Sequence, residues 1–245
     1  MSRFGLETRP NSKSQDWGKS VVTNSTGVPS DWLSLPTPTT GFNGLLAIAD
    51  DSAGSTTNKV AFRAQGNYTV DWGDGNVEDI NSNTTATHSY TYANIPAGSW
   101  SAGGYRQVIV KVYPQAGQSF TSFDLNRAYT TGVIDTERWL DISIAGADLT
   151  SVTLGAATPV KNLYSIQRVN VNTPSVTNYS YLCAYMTSLT SVTMGTTTGM
   201  TNAMSMFRQC FSLQKAPALS MSSVTDTSYM FSQCYSLWDI PTYST

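Results

Sequence analysis

Two kinds of hydrophobic pattern divide this chain. Between Gly41 and about Gly117, short stretches have apolar residues at every second position. Tyr68, Val70 and Trp72 alternate with Thr69 and Asp71, and the stretches ATHSYTY and RQVIVKVYP read as further strands. A two-residue period puts one set of side chains on one face of an extended strand. The Asp74-Gly75 pair inside YTVDWGDGNVEDI predicts a two-residue hairpin turn of type I′, which needs positive φ at both central residues. Short strands broken by Gly and Asn turns predict an all-β sandwich over residues 41–117.

From Val176 onward the period becomes 24 residues. VTNYSYLCAYMTSLTSVTMG starts at Val176, MTNAMSMFRQCFSLQKAPAL at Met200 and VTDTSYMFSQCYSLWDIPTY at Val224, and the copies align without a gap. Down the columns stand Leu182, Met206 and Met230, then Met186, Cys210 and Cys234, then Leu189, Leu213 and Leu237. LTSVTLG at Leu149 matches LTSVTMG at Leu189 with an offset of 40, which puts a segment of irregular length between them. Met230, Phe231 and Cys234 have the spacing of one face of a short helical turn, with Thr225 or Asp226 as its cap. Val192 and Met194 alternate as in a strand. A unit this small cannot bury its own apolar side, whereas stacked units can, so the pattern predicts a solenoid over 118–245, clear in 176–245. In such a stack Cys210 lies near Cys234, as part of a buried, reduced ladder.

Residues 1–40 lack a sustained period. GVPSDWLSLPTPTTG holds three prolines, which suits extended chain. Trp17, Trp32, Leu33 and Leu35 are apolar residues in a strip without a core of its own, so the arm is expected to pack back onto the sandwich or, the favoured reading, onto another subunit. Trp238, Ile240 and Tyr243 make the edge of the last unit apolar, and another subunit or the chain's own tail is expected to cover it.

Composition narrows the function. Only 12% of residues are Asp, Glu, Lys or Arg, against roughly 25% in an ordinary soluble domain. With a formal net charge of -2 and no basic run, the chain lacks the clustered Lys and Arg that nucleic acid requires. No segment approaches the ~18 consecutive apolar residues of a membrane span, and the N-terminus lacks the apolar core of a secretory signal. Three cysteines, an odd and sparse count, argue against a disulfide framework. No C-x-x-C pair or nearby histidine offers a metal site, and no cofactor is expected.

Three groups of residues invite sharper chemistry. Asp71, Asp74, Glu78 and Asp79 are clustered oxygen ligands of the kind calcium takes, but their spacing is not that of an EF-hand loop, and Asp is common in turns. His88 is the single histidine. No G-x-S-x-G or H-E-x-x-H motif and no paired carboxylates surround it, so a structural role is favoured over a general base. Asp124, Asp135, Glu137 and Asp141 form the acidic cluster near the repeat, and a glycan hydrolase would need two of them facing one cleft.

Two resemblances sharpen the fold. VDWGDG followed by THSY resembles the PKD-type immunoglobulin-like domain, through Trp72, Gly73, Asp74, Gly75, His88 and Tyr90. Met206, Phe207, Cys210 and Leu213, and again Met230, Phe231, Cys234 and Leu237, resemble the BspA-type leucine-rich repeat. In the copy from Val176, Met186 replaces the cysteine. The resemblances imply a mainly β chain: an extended arm (1–40), a PKD-like sandwich (41–117) and a short α/β leucine-rich-repeat solenoid (118–245). They imply no catalysis. The combination also resembles virion structural proteins of tailed phages. That implies a non-enzymatic structural or decoration protein, assembled in the host cytoplasm, anchored by its arm and in contact with other virion proteins or copies of itself. A host-surface adhesin binding a cell-surface glycan or protein is the alternative.

Overall fold

The computed structural model describes residues 28–50, 58–130, 138–158 and 163–243, so the expectations for Trp17, Asp135 and Glu137 lie outside the described residues. The chain is mainly β. Its strands are β1 (Gly41–Ile48), β2 (Lys59–Gln65), β3 (Tyr68–Asp71), β4 (Val77–Ile80), β5 (Thr85–Ser89), β6 (Arg106–Pro114), β7 (Ser122–Asp124), β8 (Trp139–Ala145), β9 (Ser151–Thr153), β10 (Arg168–Asn172) and β11 (Ser191–Met194).

The strands form two sheets. One has the order β11-β10-β8-β1-β6-β3-β4 and the other β5-β2-β7-β9. Aromatic rings join them. Phe42 on β1 stacks on Phe123 of β7 at 4.7 Å, meets the Trp139 ring of β8 edge-on at 5.4 Å and lies 6.3 Å from Phe62 of β2. Rings of this size each bury a large apolar area, and edge-on or offset pairs add to it.

Pairing changes character at β7 and β8. Strands β1 through β6 pair antiparallel wherever they meet, and β7 and β8 still pair antiparallel with β2 and β1. On their other edges, β7 takes β9 in parallel and β8 takes β10 in parallel. The last strands of the two facing sheets therefore form the first turn of a winding chain. Parallel contacts continue from β10 to β11, from Asn178 to Asn202 to Asp226, and from Lys215 to Asp239. Both sheets and one hydrophobic cluster, from Phe42 to Met230, run through the boundary expected at residue 117.

The offset of 40 between Leu149 and Leu189 now has a geometric reason. Ser151 pairs in the β7·β9 ladder, whereas Ser191 pairs in the β10·β11 ladder. The two similar segments turn opposite corners of the winding. The motif equivalent to Leu149-Thr150 one turn later is Val176-Thr177.

Hydroxyl groups tie neighbouring turns. The Thr150 hydroxyl donates to the carbonyl of Thr121, Thr190 to Gln167, Thr201 to Thr177 and Thr225 to Thr201, at 3.0–3.2 Å. In each case the residue's own N–H reaches the same carbonyl. Serine and threonine thus serve the backbone here, which is one physical use of the composition that charges vacated.

The helical turn expected around Met230, Phe231 and Cys234 is not formed. Among the described residues the only helical pieces are short 3₁₀ turns at Tyr92–Asn94, Ala97–Ser99 and Leu163–Ser165. In its place run overlapping tight turns: Leu182 N–H donates to Tyr179, Ala184 to Tyr181 and Met186 to Cys183. Tyr181, Tyr185, Ser205, Gln209, Tyr229 and Gln233 all have positive φ, between 53° and 67°. Left-handed residues four apart interrupt any helix and recur every 24 residues. The expected cap is present in a different form: the carboxamides of Asn178 and Asn202 and the carboxylate of Asp226 each accept the N–H two residues on.

Met206 is fully buried in the middle of the stack. Met206→Ala should cost about 2–5 kcal/mol. Because one core serves the facing sheets and the stacked turns, urea unfolding followed by tryptophan fluorescence and by far-UV circular dichroism should shift together. Two separated transitions, with the buried tryptophans of the facing sheets unaffected, would show that the stack unfolds by itself.

Candidate interaction surface

The hairpin residues converge on one another. Asp71 pairs with Val77, and Trp72 N–H donates to Asn76 O at 3.0 Å, so the loop is Gly73-Asp74-Gly75. Gly73 has φ 77° and Gly75 φ 99°, whereas Asp74 is not at positive φ. The turn is therefore a three-residue loop rather than the type I′ turn on Asp74-Gly75 expected from sequence.

This loop aims Asp74 at His88. His88 Nε2 lies 2.8 Å from Asp74 Oδ2, and the imidazole stacks on the Trp72 indole at 4.7 Å and 12°. Tyr90 meets the imidazole edge-on at 4.6 Å, and its hydroxyl donates to the Trp72 carbonyl at 2.9 Å. Burial would raise the Asp74 pKa, but the His88 contact and the Asn76 bonds outweigh it and hold the carboxyl below its ordinary value. Burial pushes the Tyr90 phenol far up, and Asp74 and Asp71 add to the shift, so it stays a neutral donor. All six motif residues thus belong to one lock between the β3–β4 hairpin and β5.

The remaining acidic residues each face a different partner. Asp71 accepts the Gly73 N–H and faces Lys111 Nζ at 3.2 Å. Asp79 accepts the Thr69 hydroxyl at 2.6 Å. Asp124 pairs with Arg127, and Asp141 on the other sheet lies 3.2 Å from Arg168. Burial raises Asp141 to about 6, with Arg168 pulling the other way. Among the described residues no group of three or more His, Cys, Asp or Glu is placed to hold a metal ion.

Residues 28–40 lie on the chain's own seven-stranded sheet, the other of the two placements expected for the arm, in place of the favoured contact of Trp32 and Leu33 with another subunit. Trp32, Leu33 and Leu35 pack against Leu45, Ala47, Tyr105 and Leu140. Trp32 Nε1 donates to Tyr105 Oη at 2.9 Å, Leu33 N–H to Gln107 Oε1, and Asn43 Nδ2 to Pro36 O. The cause is the parity of β1, where Leu45, Leu46, Ala47 and Ile48 run consecutively, so both faces are apolar and both need a cover.

The repeat columns stack in register. Leu182, Met186, Leu189, Met206, Cys210, Leu213 and Met230 are buried, while Cys234 and Leu237 in the last turn are half-exposed. Phe207 stacks on Phe231 at 5.4 Å and 7°, and Phe211 on Tyr235 at 5.4 Å. Cys210 Sγ donates to Cys183 O at 3.1 Å and Cys234 Sγ to Phe207 O at 3.0 Å. All three cysteines are free thiols. Burial raises all three, Cys234 to about 11, so none offers a thiolate nucleophile.

The last turn carries the exposed apolar surface. Tyr229, Tyr235, Trp238 and Ile240 are 70%, 76%, 68% and 53% exposed. Lys215 Nζ sits 5.0 Å over the Trp238 ring. Tyr243 is half-buried and donates to Pro217 O at 3.0 Å, so this part of the chain folds back on its own stack. Several exposed aromatics together on one end mark an interaction surface better than any polar cluster does. No family model, curated protein or solved structure matches the chain.

Two predictions follow from the lock geometry. A Cβ on Gly73 would stand 2.4 Å from Ile109 O, while one on Gly75 would meet nothing within 4 Å. Gly75→Ala should therefore cost only the left-handed penalty of about 1–2 kcal/mol, and Gly73→Ala clearly more, measured by chemical denaturation. Equal losses would count against the close approach. Separately, Asp74 stabilises the fold above its ordinary carboxylate range, and this contribution is lost as pH falls through its lowered folded value. In His88→Phe, which keeps a ring on Trp72, the Asp74 pKa should rise in an NMR titration of its carboxyl carbon. An unmoved Asp74 would show that His88 does not set it.

Proposed function

We propose that this chain is a non-enzymatic structural protein of a tailed-phage virion. In this reading a PKD-like immunoglobulin-type sandwich is extended by a BspA-type leucine-rich-repeat solenoid. The observation that carries it is the disposition of reactive side chains. His88, Asp74 and the cysteines are tied into structural bonds, while the exposed end of the stack is aromatic. Such a molecule is built to hold a shape and to adhere, because catalysis needs positioned, accessible acids, bases or nucleophiles. Since Trp32 and Leu33 serve the chain's own sheet, the attachment surface in this reading is the exposed end of the stack.

The exposed Tyr229, Tyr235 and Trp238 also favour a second reading, a host-surface adhesin that takes a glycan or protein on its aromatic end. Quantitative mass spectrometry of purified particles separates the two. The virion reading expects the chain in a fixed, symmetric copy number per particle. Absence from particles, together with direct binding of the purified chain to bacterial cells, would overturn it in favour of the adhesin.

A further inference from the structure

Side chains on the outer face of the large sheet read the main chain of the arm. Gln107 Oε1 accepts the Leu33 N–H at 3.0 Å, and Gln107 Nε2 donates to the Asp31 carbonyl at 2.7 Å. One buried carboxamide thus grips the arm on both sides of Trp32. Asn43, also buried, donates to the Pro36 carbonyl at 2.8 Å. Ser101 Oγ and the Ala102 N–H both donate to Asp31 Oδ2, at 2.7 and 2.6 Å. Without an arm, the carboxamides of Gln107 and Asn43 would lose these partners. Trp32, Leu33 and Leu35 fill the apolar cluster of Leu45, Ala47, Tyr105 and Leu140, which is separate from the main core. A receptor for an extended peptide is built this way: polar groups fix the main chain, and an apolar pocket takes the side chains.

The path of the arm sets a constraint on its hinge. Residues 31–40 join neither sheet. Leu33 is held by Gln107, which pairs with Ala47, and Pro36 is held by Asn43. The arm therefore runs back over β1, and the chain reverses between Pro36 and Gly41. Bends at Thr39 and Thr40 make the reversal, directly after Pro36 and Pro38, whose rings favour extended chain. Gly41 completes it at φ 120°, where a Cβ would stand 2.1 Å from Val112 O. A short hinge that reverses against its own prolines invites the exchange of an element between copies. Straightened, the same hinge carries the arm onto a neighbour, where every contact to the sheet is recovered.

We propose that this face is an exchangeable peptide groove, and that a second copy of the chain supplies residues Asp31–Pro36 to it in trans. The placement on the chain's own sheet and the exchanged one share their contacts, so the hinge and the concentration of copies set the balance between them. The main core stays closed in both, because the cluster under the arm is separate from it. Two copies that trade arms close a dimer, and copies that each pass the arm onward form a row. The inference goes beyond both readings of function above and depends on neither.

Complementation between two full-length variants tests it. Trp32→Ala with Leu33→Ala keeps the groove and spoils the arm. Gln107→Ala with Tyr105→Phe keeps the arm and spoils the groove. Size-exclusion chromatography with light scattering should give 26.5 kDa for each variant alone and twice that mass for their equimolar mixture. A mixture that stays at the single mass would overturn the proposal. Doubling of the arm-deficient variant by itself would overturn it too, because the contact would then lie elsewhere. So would a doubled mixture that excess synthetic Val28–Thr40 peptide fails to dissociate. Should either variant lose its cooperative urea transition, the unaltered chain gives a second readout. Spin-labelled Val28–Thr40 peptide at about 1 mM, the effective concentration of a short tether, should erase the amide signals of Ala47 and Gln107 in the isotope-labelled chain. Unchanged signals would sink the idea, and so would equal loss with a scrambled peptide, which would reduce the groove to a non-specific apolar patch.

Discussion

The alternation of amide direction is the constraint on which the repeat region depends. From Tyr179 to Met186, and again from Ala203 to Cys210, every second N–H leaves its own turn and bonds the next, and most of the others close a tight turn. That arrangement requires positive φ at Tyr181 and Tyr185 and at their counterparts 24 and 48 residues on. A left-handed residue other than glycine costs about 1–2 kcal/mol. Each inter-turn bond returns about 0.5–1.5 kcal/mol, and the burial of Leu182, Met206 and Phe207 that the geometry permits supplies the rest. None of these six positions is β-branched, the class for which the left-handed region is most strained.

The winding begins on a prepared surface. Strands β7 and β8 are antiparallel members of two facing sheets, yet each offers a free edge on the same side of the molecule. Parallel strands need a crossover, and here the crossover from β8 to β10 passes through β9 on the opposite sheet. The stack therefore inherits its spacing and its core from the sheets it grows on. The opposite edge of the large sheet is treated differently: β4 is short and carries Glu78 and Asp79, features that blunt an edge against further pairing.

The hairpin lock shows why an aspartate–histidine contact is kept in a chain so poor in charge. Trp72 is fully buried between Phe62 and His88. The indole is positioned by stacking and by the Tyr90 bond to its carbonyl. Asp74 orients the imidazole that completes the stack, so the Asp74–His88 contact fixes the ring's plane and thereby the packing of the hairpin on β5. The same residues could be mistaken for an acid–base pair, but they are enclosed by aromatic rings and oriented toward one another.

Much of this was legible in the sequence. Two-residue alternation located β3, β5 and β6, the WGDG and H-x-Y residues are near one another in the same strand-turn-strand pattern, and the gapless period of 24 relates Met206, Cys210 and Met230. These features are legible because they depend on spacing alone. The tight turns were not, since Met-Phe-x-x-Cys has the spacing of a helix and nothing in Tyr, Ser or Gln announces positive φ. The cover provided by Trp32 and Leu33 was one of two placements open to the arm, and the consecutive apolar residues of β1 were the signal that decides between them, because both of its faces are buried. The continuity of the two sheets into the stack was decided by tertiary structure. It depends on which edges remain free once the facing sheets have closed, and no local pattern of residues carries that information.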